Sequence, residues 1–148
     1  MTSRNMLRVV FWAYAIAWTV MLLVPEPAKL FVVREVMPKA VISAAPSWDK
    51  VVHLSGYFGL ALLALGSYAA RPNASRLGWL CVACVAHGAL TELGQTQVPS
   101  RQGDVADWIA DTVGVMLAGV LFVLLRRNSD ATRDKSEGSP QQPRPDPN

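Results

Sequence analysis

The sequence predicts an all-α integral membrane protein: a bundle of four transmembrane helices followed by a disordered C-terminal tail. Three observations lead there. Of 148 residues, 51% are hydrophobic and only 17% are charged, with a mean hydropathy of +0.24 that a polar tail dilutes. Mostly apolar runs near the length that crosses a hydrocarbon core fall at 7–24, 51–70, 77–93 and 105–125. Lysine and arginine, finally, are distributed unevenly about those runs, in the way that orients a membrane protein.

The first run follows Arg4 and Arg8 and stops before Pro25 and Pro27. Ala13-Tyr14-Ala15 and Ala15-Ile16-Ala17 resemble signal-peptide cleavage sites, but apolar residues continue to Val24, so the segment reads as a retained helix. A long connection punctuated by Pro25, Pro27, Pro38 and Pro46 follows. Within it, AKLFVVREVM at 28–37 reads either as a short helix along the headgroup boundary or as an ordered loop. The second run holds His53 near its start. A tight turn, RPNASR, leads into the third run, which is short and interrupted by His87, Thr91 and Glu92. A soluble helical core is the alternative for that stretch, though its neighbours leave little room for one. The Asn73-Ala74-Ser75 glycosylation pattern falls on the expected cytoplasmic side and carries no weight. The fourth run ends at Arg126-Arg127. Residues 128–148 are rich in Ser, Asp, Gln and Pro without apolar periodicity, which predicts a disordered tail and leaves 1–127 as one domain.

With both termini cytoplasmic, nine of the fourteen Lys and Arg residues lie inside, and Lys29, Arg34, Lys39, Lys50 and Arg101 lie outside. The expectation is a multi-pass protein of the inner (plasma) membrane. The net charge of +3 reports that orientation. No basic surface interleaved with aromatics points to nucleic acid.

Acids, histidines and an arginine cluster at helix ends that this topology puts on one side of the membrane. Asp49, His53 and Tyr57 recur every fourth residue and stack on one helix face. Asp49 serves either as a helix N-cap or in a site. His53 lies a turn further in, where capping does not explain it, and reads equally as a structural or a catalytic histidine. Lys50 sits at the positive end of a helix dipole, a cost that a nearby anion offsets. In the third segment His87, Thr91 and Gln95 share a spacing of four, with Glu92 and Gln95 near the outer end; His87, about 12 Å deeper, reads as an interhelical hydrogen-bond partner. In the fourth, Asp104 reads as a cap and Asp107 as a first-turn acid. Asp111 lies about 10 Å beyond Asp104, on the stripe Asp107, Asp111, Gly114, Ala118, whose small members admit another helix. That stripe is expected to face protein.

Asp49, Glu92, Asp104, Asp107 and Asp111 outnumber Lys50 and Arg101. Protonation, a charged His53, ordered water or a divalent cation such as magnesium or calcium has to balance the excess. No compact metal signature fixes a metal, so the cofactor is left open. Cys81 and Cys84 form a C-x-x-C inside a helix, where packing of small residues explains them more simply than redox or metal chemistry.

DKVVHLSGYFGLALLALG, then TELGQ, then P-x-R-x-G-D-x-x-D leading into DTVGVMLAG resembles the VanZ-like membrane protein family. Its Asp-Lys-x-x-His, Glu-x-x-Gln and Arg-x-x-Asp-x-x-Asp elements occur here in order, from Asp49 to about Leu125. The resemblance implies that Asp49, Lys50, His53, Glu92, Gln95, Arg101, Asp104 and Asp107 are the family's polar residues. The chain departs from the family's pattern at Asp111, where Asn is frequent, and at Gln97, where an apolar or aromatic residue is frequent. The resemblance implies a small bacterial inner-membrane protein of the cell envelope; the family's namesake is associated with reduced susceptibility to teicoplanin-type glycopeptides.

Three functions remain. The preferred one is binding of a membrane-lipid headgroup, such as that of a lipid-linked peptidoglycan precursor, in an outer-leaflet pocket. There Lys50 and Arg101 would meet phosphate, and Asp49, Glu92, Gln95, Asp104, Asp107 and Asp111 would meet hydroxyl, ammonium or a bridging cation. The second is an enzyme that hydrolyses or transfers a lipid-linked phosphate or sugar, with His53 as general acid or base and Glu92 or Asp107 orienting it or holding metal. The third is a purely structural polar network. Oligomeric state is not encoded in any visible motif.

Overall fold

The computed structural model describes residues 2–25, 45–69, 73–99 and 101–137. Among them the regular elements are four helices: α1 (Ser3–Leu23), α2 (Ala45–Tyr68), α3 (Ala74–Gln95) and α4 (Val105–Glu137). Each carries a span long and apolar enough to cross a membrane: Ser3–Leu23, Trp48–Tyr68, Ala74–Gln95 and Val105–Arg133. The all-α, four-span architecture expected from the sequence is therefore the one observed. The expected surface segment at 28–37 and the residues beyond 137 lie outside the described residues.

Local chemistry sets the helix ends. α2 begins at Ala45, with Pro46 in the first turn where a missing amide hydrogen costs nothing. Asp49 consequently lies inside the helix, which removes its reading as an N-cap. Asn73 caps α3, its side-chain oxygen accepting from the Arg76 amide at 2.7 Å. Asp104 caps α4 as expected, accepting from the Ala106 amide at 2.8 Å, with Asp107 in the first turn. α4 runs on to Glu137, so a tail beginning at residue 128 is corrected to a helix over 128–137. No Gly or Pro interrupts the chain between Gly119 and Gly138. Ser129 and Thr132 donate back to the Leu125 and Asn128 carbonyl oxygens, both at 2.9 Å, so these polar side chains ride on the helix without breaking it.

The bundle is organised around α2 and α4. Lys50–Asp107, His53–Asp111 and Arg126–Ala69 link residues 57 or 58 apart, so the two helices run parallel in one register along their length. α3 runs antiparallel to both, Glu92 meeting Asp104 while Gly88 meets Asp111 and Cys81 meets Gly119, and α1 packs on α2 and α3. Gly114 makes the central contact possible: a Cβ there would collide with the Leu54 carbonyl oxygen. Small residues at such crossings let membrane helices approach backbone to backbone.

Burial is inverted relative to a water-soluble bundle. His53, Asp111, Gln95 and Asp107 are 1%, 0%, 2% and 4% exposed, whereas Leu90, Met116 and Ile16 are 67%, 66% and 62% exposed. Apolar atoms turned outward and polar atoms turned inward is the arrangement a hydrocarbon solvent selects, since buried polar groups find partners only within the protein. An apolar core of Leu22, Tyr57, Leu60, Ala61, Ala64, Cys84, Val115 and Ala118 holds the bundle together beside the polar groups. Cys81 and Cys84 are free thiols, Cys84 within that core and Cys81 packed against it, as their packing reading expects.

Candidate functional site

The N-terminal turns of α2 and α4 and the C-terminal turns of α3 meet at one end of the bundle. There the parallel register sets two α2 side chains against the α4 acidic stripe. Lys50 Nζ lies 3.1 Å from Asp104 Oδ2 and 2.9 Å from Asp107 Oδ1. One turn deeper, His53 Nδ1 lies 3.0 Å from Asp111 Oδ1 and 3.7 Å from Glu92 Oε1. The predicted stripe does face protein: Asp107, Asp111 and Ala118 are buried, and Gly114 presses on α2.

The site is layered. The Lys50 and Asp104 side chains are 42% and 51% exposed, whereas those of Asp107, His53 and Asp111 are 6%, 2% and 0%. The Asp104 carboxyl is held below the usual carboxylate range, first by the Ala106 backbone amide and then by the Lys50 ammonium. It stays ionised at the rim under physiological conditions.

Glu92 reaches the site because the α3–α4 loop crosses the end of its helix. Gly103 makes that crossing: a Cβ would meet the Glu92 carbonyl oxygen at 2.5 Å. The close pass lets the Asp104 amide donate to Glu92 Oε2 at 2.8 Å, leaving Oε1 turned toward His53. Glu92 Oε1, Asp111 Oδ2 and Gln95 Nε2 are buried without a hydrogen-bond partner.

Arg101 stands apart from this cluster. Its Nε donates to the Val24 carbonyl oxygen at 3.3 Å, tying the α3–α4 loop to the end of α1. Asp49 is exposed, but a carboxylate oxygen of Asp49, a His53 ring nitrogen and an Asp107 oxygen fall within 4.8 Å of one another. One atom each from His53, Glu92 and Asp111 satisfies the same limit. The sequence-predicted residues Asp49, Lys50, His53, Glu92, Asp104, Asp107 and Asp111 are thus brought together, Gln95 is buried nearby on the same helix as Glu92, and Arg101 faces α1.

A second network lies deeper. His87 Nδ1 meets Tyr57 Oη at 2.9 Å, His87 Nε2 meets Thr19 Oγ1 at 2.9 Å, and Tyr57 Oη meets Thr91 Oγ1 at 2.8 Å. Thr91 in turn donates to the Gly88 carbonyl oxygen at 2.8 Å. Thr19 donates its single proton to the Ala15 carbonyl oxygen at 2.7 Å, so it accepts from His87 Nε2–H. The expected interhelical role of His87 is observed, tying α1, α2 and α3. Sequence reasoning gave α1 no part in it; the signal was Thr19, set in a mostly apolar run.

A family model described as VanZ/LLP1 matches residues 11–126, which take in the polar end and most of every helix. No curated protein and no solved structure matches the chain significantly. A match over that much of the sequence, together with four membrane-spanning helices, makes the chain a member of the VanZ/LLP1 family and a VanZ-like, multi-pass membrane protein of the cell envelope.

Proposed function

We propose that the polar end binds the headgroup of a phosphate-bearing membrane lipid, with a lipid-linked cell-wall precursor as the chemical class. The protein sits in the plasma membrane with both termini cytoplasmic, following its arginine and lysine distribution, and the site opens to the outer leaflet. The layering of the site carries this reading. Lys50 and Asp104 form an exposed ion pair that solvent screening leaves weak, so a phosphate displaces Asp104 from Lys50 at little cost. Beneath it, Asp107, Glu92 and Asp111 present acceptors for headgroup hydroxyl or ammonium groups. Arg101, on the adjoining loop, adds a second cation for phosphate once it turns from Val24.

Native mass spectrometry of detergent-purified protein tests the proposal. The wild type is expected to retain a phosphate-bearing lipid that Arg101→Ala and Lys50→Gln lose. A wild type carrying no specific lipid refutes it.

The buried His53–Asp111 contact favours a second reading, hydrolysis or transfer at a lipid-linked phosphate or sugar. A carboxylate that accepts from Nδ1–H fixes the tautomer and leaves Nε2 as a base, the arrangement used to activate water. Glu92, Asp104 and Asp107 line the same end. On this reading His53→Gln keeps the lipid bound in the same mass spectra yet abolishes phosphate release from a lipid-linked pyrophosphate in proteoliposomes. Wild-type protein that releases none rules the reading out.

A further inference from the structure

We infer that His53 Nδ1, Glu92 Oε1 and Asp111 form a buried binding site for a divalent transition-metal ion, of the Zn2+ or Mn2+ type, inside the bundle beneath the Lys50 rim. This goes beyond headgroup binding and does not rest on it. The three ligands come from three helices, and their donor atoms lie within 4.8 Å of one another. An ion about 2.1 Å from each donor holds neighbouring donors about 3.0 Å apart at a right angle and about 3.4 Å apart at the tetrahedral angle. The observed separations from His53 Nδ1 are 3.0 Å to Asp111 Oδ1 and 3.7 Å to Glu92 Oε1. These distances need only a few tenths of an ångström of adjustment.

The unpartnered oxygens are the independent observation. Glu92 and Asp111 are 7% and 0% exposed, and each has one carboxylate oxygen buried without a partner, Oε1 and Oδ2. A proton on His53 Nδ1 is directed at Asp111 Oδ1 and leaves both unserved. An ion in place of that proton would be shared by His53 Nδ1, Glu92 Oε1 and the Asp111 carboxylate. Two carboxylates then balance the ion's double charge, so the buried group becomes neutral as a unit.

Donor chemistry selects the metal class. An imidazole nitrogen with carboxylate oxygens suits Zn2+ or Mn2+ better than Mg2+ or Ca2+, which favour all-oxygen shells. Neighbouring groups already hold two of the ligands in place. Glu92 Oε2 is held by the Asp104 amide at 2.8 Å, which fixes the direction of Oε1. The Gly88 backbone passes so close that a Cβ there would be 3.0 Å from Asp111 Oδ2, which confines that carboxylate.

The test uses tag-free, full-length protein in detergent, stripped with a chelator and titrated with Zn2+ or Mn2+ alone by calorimetry, with metal content measured after desalting. The wild type is expected to hold about one ion per chain and to melt at a higher temperature when loaded. Glu92→Gln and Asp111→Asn keep side-chain size and are expected to lose more than about 10-fold in affinity, while Asp130→Asn, on the exposed far part of α4, binds as wild type does. X-ray absorption at the metal edge of the wild type needs no variant: nitrogen and oxygen scatterers with an imidazole signature support the site. No retained ion, sulfur scatterers from Cys81 and Cys84, or undiminished binding in Glu92→Gln or Asp111→Asn overturns it.

Discussion

Replacing Gly114 with alanine is expected to lower the stability of the bundle by about 1–3 kcal/mol, the range for overpacking a close-packed interior. The added Cβ would collide with the Leu54 carbonyl oxygen and stand 3.0 Å from the Phe58 amide nitrogen and 3.1 Å from the Leu54 carbonyl carbon. An ordinary carbon–oxygen contact is about 3.3 Å, so α2 and α4 must move apart. The neighbours that must give are backbone, which cannot rotate out of the way as a side chain would. Leu54 follows His53 directly, and Gly114 lies one turn beyond Asp111. The same displacement therefore stretches the 3.0 Å His53–Asp111 contact, and loss of stability and loss of the site are expected together. Alanine at Gly78, whose added Cβ meets nothing within 4 Å, is the control and is expected to be neutral or stabilising through better helix propensity. Thermal melts in detergent with both variants decide the matter. Equal melting temperatures for Gly114→Ala and wild type would mean that the α2–α4 approach is not tight.

How much of this could be read from residues alone differs between fold and site. Hydropathy over a span-length window found all four helices, because a hydrocarbon solvent imposes one dominant requirement on each. Helix ends were less legible. α2 starts at Ala45, before its apolar run, because Pro46 is favourable in a first turn. α4 continues to Glu137 because nothing in 120–137 breaks a helix. Polarity marked the α4 tail as disordered, but polarity governs where a segment sits more directly than whether it is helical.

For the site, spacing of four along each helix identified the faces, since that depends only on helix geometry. It could not say which acid each base would meet. Lys50 taking Asp104 and Asp107, while His53 takes Asp111, follows from the parallel register of α2 and α4, a property of the packed bundle. Gly103 was invisible for the same reason: its close pass over the Glu92 carbonyl oxygen exists only once the loop has turned. Arg101 carried a motif and a charge, yet bonds to the Val24 carbonyl oxygen on α1. Charge counting, by contrast, anticipated a real feature. The excess of acids over cations is matched by the carboxylate oxygens on Glu92 and Asp111 that lack partners.

Asp111→Ala separates what that residue does for folding from what it does for chemistry. The substitution strands His53, 1% exposed, with its Nδ1 facing a void. A buried donor left without an acceptor costs about 1–3 kcal/mol, and the emptied volume adds a cavity cost that grows with how little the surroundings relax. Glu92 is no substitute acceptor: its Oε1 is 3.7 Å from Nδ1, and its Oε2 is anchored by the Asp104 amide. Asp111→Asn, in contrast, keeps an oxygen that accepts from Nδ1–H and fills the same space, so in chelator-stripped protein its melting temperature is expected to stay close to wild type. The two variants together distinguish a hydrogen bond from a charge. If Asp111→Asn falls as far as Asp111→Ala, the negative charge itself holds the bundle against a positive group at the site. If only the alanine variant falls, the fold needs an acceptor and a filled volume, and the charge is left for whatever positive group the site receives.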